Sequence, residues 1–261
     1  MPNNSVLFSS AGGVATITLN RPEKHNAFND KIIAELIRLI ADLENDASVR
    51  VLILAANGKS FSAGGDLAWM KRTANYSVEQ NQNDAAGLAE LLRSLNNLSK
   101  PTIARVQGAA FGGAVGLTSC CDIAIGTPHA KFCLSEVKVG LVPATISPYV
   151  IAAIEQRAAR RYFLTAERFS AQTALDLGLL SKVVSPEQLD EEVAQFAKTL
   201  LANGPIAITA AKKLIRDVAN VPISKDLIQQ TSQLIADLRV SPEGQEGLSA
   251  FLDKRSPNWL N

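Results

Sequence analysis

At 261 residues and 47% hydrophobic content, the chain is long enough for one large domain, or one with a small appendage, around a sizeable core. Its 26 Lys and Arg against 25 Asp and Glu leave a net charge of +1, which gives no electrostatic case for nucleic acid or an anionic membrane. No apolar run reaches the roughly 18–20 residues of a membrane span, and residues 1–8 lack a basic stretch leading into an apolar one, so the expected location is cytoplasmic.

Residues 6–8 and 14–19 read as strands joined through Ala11-Gly12-Gly13, a hairpin signal. Asn29 is placed to cap a helix in which Ile32, Ile33, Leu36, Ile37, Ile40 and Leu43 recur at helical spacing. Residues 49–55 are a continuous β-prone run, a buried strand. The turn Ser62-Ala63-Gly64-Gly65-Asp66 comes next, with Asp66 as N-cap of a helix over 67–73. Leu88, Leu91, Leu92, Leu95 and Leu98 mark another helix, stopped by Lys100-Pro101. Residues 102–106 are the next buried strand and lead into a second glycine turn, Gly108 to Gly113. Residues 111–119 read as a helix of small residues and 123–125 as a strand. After about residue 147 the pattern turns helical, over 148–154, 158–164, 171–177, 186–202, 206–218, 224–238 and 243–252. Strands alternating with helices imply an α/β core with parallel pairing, over 1–202, followed by a C-terminal helical segment over 203–261. No internal repeat is visible.

The two glycine turns carry the chemistry. Each follows an apolar strand and opens a helix, which leaves backbone N–H groups unpaired and pointing outward. Brought together, two such ends can place two donors on one oxygen, an oxyanion hole. Cys120, Cys121 and Cys133 sit among apolar neighbours without metal-site spacing, so they read as core, and no metal is expected.

The stretches Leu19-Asn-Arg-Pro-Glu-Lys-His-Asn-Ala27, Phe61-Ser-Ala-Gly-Gly-Asp-Leu67, Val106-Gln-Gly-Ala-Ala-Phe-Gly-Gly113, Cys121-Asp-Ile-Ala124, Phe132-Cys-Leu-Ser-Glu136 and Gly140-Leu-Val-Pro143 resemble the crotonase superfamily of enoyl-CoA hydratases and isomerases. So does the terminal Phe251-Leu-Asp-Lys-Arg-Ser-Pro-Asn-Trp259. The resemblance implies an α/β fold with a spiral core of ββα turns and C-terminal helices for oligomerisation or as a lid. It implies a homotrimer or homohexamer acting on an acyl-CoA, with coenzyme A present only as part of the substrate. By motif position the oxyanion donors are the amides of Ala63 and Gly113, and Glu136 is the catalytic acid-base. CoA contacts fall to Arg21, Lys24, Ala63, Gly64, Gly65, Asp66, Leu67 and Lys254. For Arg21, Lys24 and Lys254 a solvated surface charge is the competing reading.

Standard hydratases of this family use two glutamates. The first would stand at Gly116, and no carboxylate occurs from Phe111 to Cys121. Asp66-Leu-Ala-Trp-Met-Lys71, Pro143-Ala-Thr-Ile-Ser-Pro148 and Arg239-Val-Ser-Pro-Glu-Gly-Gln-Glu-Gly247 further resemble hydratases of 3-methylglutaconyl-CoA and isohexenylglutaconyl-CoA. Gly116 is then expected to leave room for a branched β-carbon, with the substrate's own carboxylate, or a water it orders, in place of the missing acid; Lys71 and Arg72 are candidates to meet that distal carboxylate, with exposed charges on a helix as their competing and favoured reading. An isomerase using Glu136 alone and a non-catalytic acyl-CoA-binding homologue are the alternatives. His25 reads as a polar loop residue and Asp122 as a local backbone partner.

Overall fold

The computed structural model describes residues 5–260. A hairpin of β1 (Val6–Ala11) and β2 (Val14–Leu19) leads to α1 (Asp30–Asn45), capped by Asn29 as expected, through its side chain to Ile32 N–H. Next come β3 (Val51–Ala56), β4 (Ser60–Ser62), α2 (Leu67–Thr73) and α3 (Val78–Asn97). Then follow β5 (Thr102–Val106), β6 (Ala109–Phe111) and α4 (Gly113–Cys120), and after them β7 (Ile123–Gly126), β8 (Lys131–Cys133) and α5 (Ser147–Thr165). Each of these three passes lays a long strand, then a three-residue strand, then helix.

Among the described residues the long strands and the short β10 form a six-stranded sheet, β1-β2-β3-β5-β7-β10, parallel from β2 onward. The short strands form a second sheet, β4-β6-β8-β9, parallel except for its last pair. Here β9 is Phe169–Ser170 and β10 is Lys182–Val183, on either side of α6 (Ala171–Asp176). This is the expected ββα spiral. The resemblance implied the second sheet, but residue patterning did not locate its strands, because strands this short show no alternation. The helix expected over 111–119 starts later, because β6 claims residues up to Phe111 and Gly112 turns with φ +54°.

The middle strands β3 and β7 are apolar throughout, and β5 is apolar apart from Thr102 and Arg105, because both faces are covered. Leu52, Ala104 and Ala124 point into the main core with α1, α3 and α4, whereas Val51, Ile103 and Ile125 pack under α7 (Leu189–Leu201). The helices expected over 148–154 and 158–164 are the two halves of α5, broken at Glu155 with φ 63° and ψ 159°. The chain closes with α8 (Pro205–Val218), α9 (Lys225–Val240) and α10 (Pro242–Leu252). α9 is exposed or half-buried along its whole length. No helix among the described residues is long and apolar enough to cross a membrane.

Candidate active site

The two glycine turns meet. Gly64 has φ +87°, and a Cβ built on it would stand 2.7 Å from the Phe111 carbonyl oxygen, so only glycine lets the first turn lie against the second. The first turn is fastened from outside by a single bridge: Phe28 N–H donates to Gly64 O and Asp66 N–H to Phe28 O, both at 2.9 Å. Ser62 Oγ donates to Asn26 O at 2.8 Å and accepts from Gly64 N–H at 3.1 Å.

The expected donor pair needs one correction. Ala63 N–H donates to His25 O at 2.9 Å, so it is already spent on the preceding loop. Among the described residues the Gly65 and Gly113 N–H groups have no acceptor. Gly113 is the first residue of α4, where the helix leaves its N–H groups open and adds its positive end. The geometry therefore offers Gly65 and Gly113 as the donors.

Glu136 completes the group. Gly112 N–H donates to Cys133 O at 2.8 Å, tying the end of β8 to the second turn. Glu136 then opens a 3-10 turn, Glu136–Val139, over that glycine, and a Cβ on Gly112 would lie 3.1 Å from its Oε1. Its Oε2 is buried and has no hydrogen-bond partner among the described residues. Burial pushes the Glu136 carboxyl above its ordinary range, opposed only in part by a bond from its own backbone N–H. A buried, unpaired carboxyl beside open amides is a proton-transfer group facing a site for negative charge.

Arg21 departs from the expectation of a CoA contact. Its guanidinium donates to Ala27 O at 2.8 Å and to Asp66 Oδ2 at 3.0 Å, clamping the loop 21–27 to the first turn. Asp66 is the N-cap, accepting from Ala68 N–H at 2.8 Å and Trp69 N–H at 3.3 Å. Burial works against its charge, but the bonds from Trp69, Arg21 and Ala68 outweigh it and hold the carboxyl below its usual range. Its oxygens are thus engaged within the chain. Lys24 Nζ lies 3.9 Å from Asp66 Oδ2 with its side chain 54% exposed, so its head reaches solvent beside the turn. Leu67 is 83% exposed at the start of α2. Lys254 is exposed beyond α10, and its N–H is held locally by Phe251 O.

Gly116 also differs from expectation. It leaves no room for a substrate branch, because a Cβ there would stand 2.4 Å from Ile146 Cγ2 and 3.2 Å from Leu92 Cδ2. Of the two cations near Trp69, Arg72 is taken by Asp30 at 2.6 Å, while Lys71 is exposed. His25 meets Ser60 Oγ at 3.1 Å as a polar loop residue. Asp122 accepts from Thr102 N–H at 2.7 Å and from Lys212 at 2.7 Å. Burial raises all three cysteine thiols, which keeps them protonated core residues.

Sequence reasoning missed three site residues. Asn26, buried at φ +54°, donates to Asn57 O and Ser60 O and so shapes the loop that spends the Ala63 amide. Its signal was only that Asn tolerates left-handed turns. Phe28 packs its ring against Gly113, where a Cβ would come within 2.7 Å of Cζ. Ile146 lies inside the stretch 143–148 that carries part of the resemblance, but no local pattern marks it as the residue packed on Gly116.

The family described as Enoyl-CoA hydratase/isomerase matches residues 9–261. Short-chain-enoyl-CoA hydratase of Clostridium acetobutylicum is 31% identical over 98% of this chain and 97% of its own. The 2,3-dehydroadipyl-CoA hydratase of Escherichia coli is 31% identical, covering 98% of each chain. The crystal structure of an enoyl-CoA hydratase from Shewanella pealeana is 48% identical, with a TM-score of 0.96 over 99% of this chain and 97% of that one. Open amides at two touching glycine turns, a buried free carboxyl and this full-length likeness agree: the chain belongs to the enoyl-CoA hydratase/isomerase family, the crotonase superfamily, and is an enzyme of the enoyl-CoA hydratase type.

Proposed function

We propose that this enzyme adds water to 3-methylglutaconyl-CoA, with Glu136 as its one proton-transfer group. The carrying observation is the buried Glu136 Oε2, which has no partner among the described residues, on a carboxyl whose Oε1 lies over Gly112, the residue before the open Gly113 amide. In this reading the thioester oxygen lies between the N–H groups of Gly65 and Gly113. Glu136 takes a proton from water, the hydroxyl oxygen bonds to C3, and the electron pair of the double bond moves onto the thioester as an enolate. Glu136 then returns that proton to C2, and the carboxylate is restored. Two preorganised donors favour the enolate, and loss of one such donor typically costs about 3 kcal/mol.

Coenzyme A enters as part of the substrate. Lys24 faces its phosphates, Gly64, Gly65 and Leu67 border its pantetheine arm, and Lys254 serves a neighbouring subunit of a trimer or hexamer built on residues 203–261. A distal carboxylate on the substrate is supported by the relative named for 2,3-dehydroadipyl-CoA, itself a dicarboxylic thioester, and by the exposed Lys71. The branched glutaconyl skeleton rests on the resemblance of residues 66–71, 143–148 and 239–247.

A second reading, 3-enoyl to 2-enoyl isomerisation, is favoured by the lone carboxylate, since one glutamate suffices to carry a proton from C4 to C2. Incubation with 3-methylglutaconyl-CoA, crotonyl-CoA and 3-hexenoyl-CoA, followed by mass spectrometry, separates the two. A gain of one water on the branched substrate supports hydration; a 2-enoyl product from 3-hexenoyl-CoA with no water gained supports the isomerase.

A further inference from the structure

Asp84 and Leu88 stand one turn apart on the same face of α3. Asp84 Oδ1 accepts from Trp69 Nε1–H at 2.9 Å. Trp69 is buried in α2 and lays the edge of its indole beside Gly65, where a Cβ would lie 3.6 Å from Trp69 Cζ3. Leu88 ends beside the other open amide: a Cβ on Gly113 would lie 3.7 Å from its Cδ2. One face of α3 therefore reaches both donor glycines, the first through Trp69 and the second directly. Farther along, Leu91, Leu92 and Leu95 anchor the helix in the main core. Residues 78–86 are exposed except for Asp84, which is half-buried. Burial does little to fix that end of α3 against α2, so the Trp69–Asp84 bond is what ties the two.

We infer that Asp84 is a positioning residue: through the Trp69 indole it holds the Gly65 donor at a fixed spacing from the Gly113 donor, which Leu88 backs from the same helix. The inference rests on the reading of those two amides as the donors to the thioester oxygen. A glycine has no side chain to hold its peptide in place, and an N–H stabilises an enolate only where it is already aimed. Asp84 does not touch the reacting atoms. Its effect passes through the indole to the place of the Gly65 N–H. A slightly misplaced donor costs more in the charged transition state than in the bound ground state, so the loss belongs in kcat rather than in affinity.

The test follows butanoyl-CoA labelled with carbon-13 at the carbonyl, a saturated thioester to which no water can be added. Bound to wild type, its carbonyl resonance should move downfield of the free thioester, because two donors polarise the bond. Asp84→Ala should lose about half of that displacement and lower kcat on the preferred enoyl-CoA by about tenfold or more, with acyl-CoA affinity within about threefold. Asp84→Asn keeps an acceptor for the indole N–H and should restore both readouts. Trp69→Phe keeps a ring and removes the N–H; it should match Asp84→Ala, and the double variant should be no worse than either single one. A displacement and kcat that stay at wild-type values in folded Asp84→Ala or Trp69→Phe overturn the inference alone. Equal losses in Asp84→Asn and Asp84→Ala also overturn it, since the bond would then not be the cause. A wild-type resonance that does not move on binding overturns the donor reading and this inference together.

Discussion

Glu136 Oε1 lies over the Cα of Gly112, close enough that a Cβ on that glycine would come within 3.1 Å of it. The residue that precedes the Gly113 donor thus also seats the carboxylate. Donor and proton carrier are set by one turn, and the loss of either can be measured separately.

Glu136→Gln keeps the shape and removes the proton shuttle. Turnover on the preferred enoyl-CoA should fall by about 10²–10⁴-fold with acyl-CoA affinity nearly unchanged. Retained turnover in the variant would show that Glu136 is not the working group.

The raised Glu136 pKa has two signed consequences. The carboxylate must be ionised to take a proton from water, so the acid limb of kcat/KM should lie above the ordinary carboxyl value of 4.5. For stability, below the unfolded pKa both states hold the proton; as pH rises through the raised folded value, the native state has to bury a charge and stability falls. Glu136→Gln should therefore be more stable than wild type at neutral pH, by about 1 kcal/mol, with the difference vanishing toward pH 4. Melting curves across pH check this; a variant less stable than wild type at neutral pH contradicts it.

Gly116→Glu alone has nowhere to put its side chain. Overpacking should cost about 1–3 kcal/mol, lowering Tm by roughly 2–4 °C per kcal/mol. Adding Ile146→Gly should recover much of that loss, because it clears the atoms that stand 2.4 and 2.9 Å from the new Cβ. Strictly additive melting shifts in the single and double variants would show that the two positions do not share one volume.

Arg21 and Lys24 should separate cleanly. The Arg21 and Asp66 side chains are 11% and 7% exposed, so Arg21→Ala strips a nearly buried acid of its closest charge partner and should cost about 3 kcal/mol of stability, the bonds from Ala68 and Trp69 N–H remaining. Lys24→Ala should leave Tm within a degree or so and weaken CoA binding in a salt-dependent way. Equal effects of both substitutions on Tm would put Lys24 in the scaffold instead.

Glu155 occupies φ 63° and ψ 159°, a region that only glycine enters without cost. Glu155→Gly should raise Tm by a few degrees, the relief of about 1–3 kcal/mol of strain exceeding the added freedom of the unfolded chain. A drop in Tm would mean that the Glu155 side chain makes a contact outweighing its strain.

The long strands, most helices and the N-caps at Asn29 and Asp66 were legible from sequence, because apolar periodicity and capping are properties of neighbouring residues. So was the meeting of the two glycine turns, with Glu136 placed beside the second, where motif spacing carried the information. The strands of the second sheet were not legible from residue pattern, since strands of two or three residues are defined by partners 20 or more residues away. The donor assignment also lay beyond the sequence. Ala63 and Gly65 look equivalent in a string, and only the folded position of the His25 carbonyl decides that the first is spent and the second open. Gly116 is the sharpest case. Its lack of a carboxylate could be read directly, but what fills the space is Ile146, 30 residues further along the chain, and packing between distant residues is settled in three dimensions.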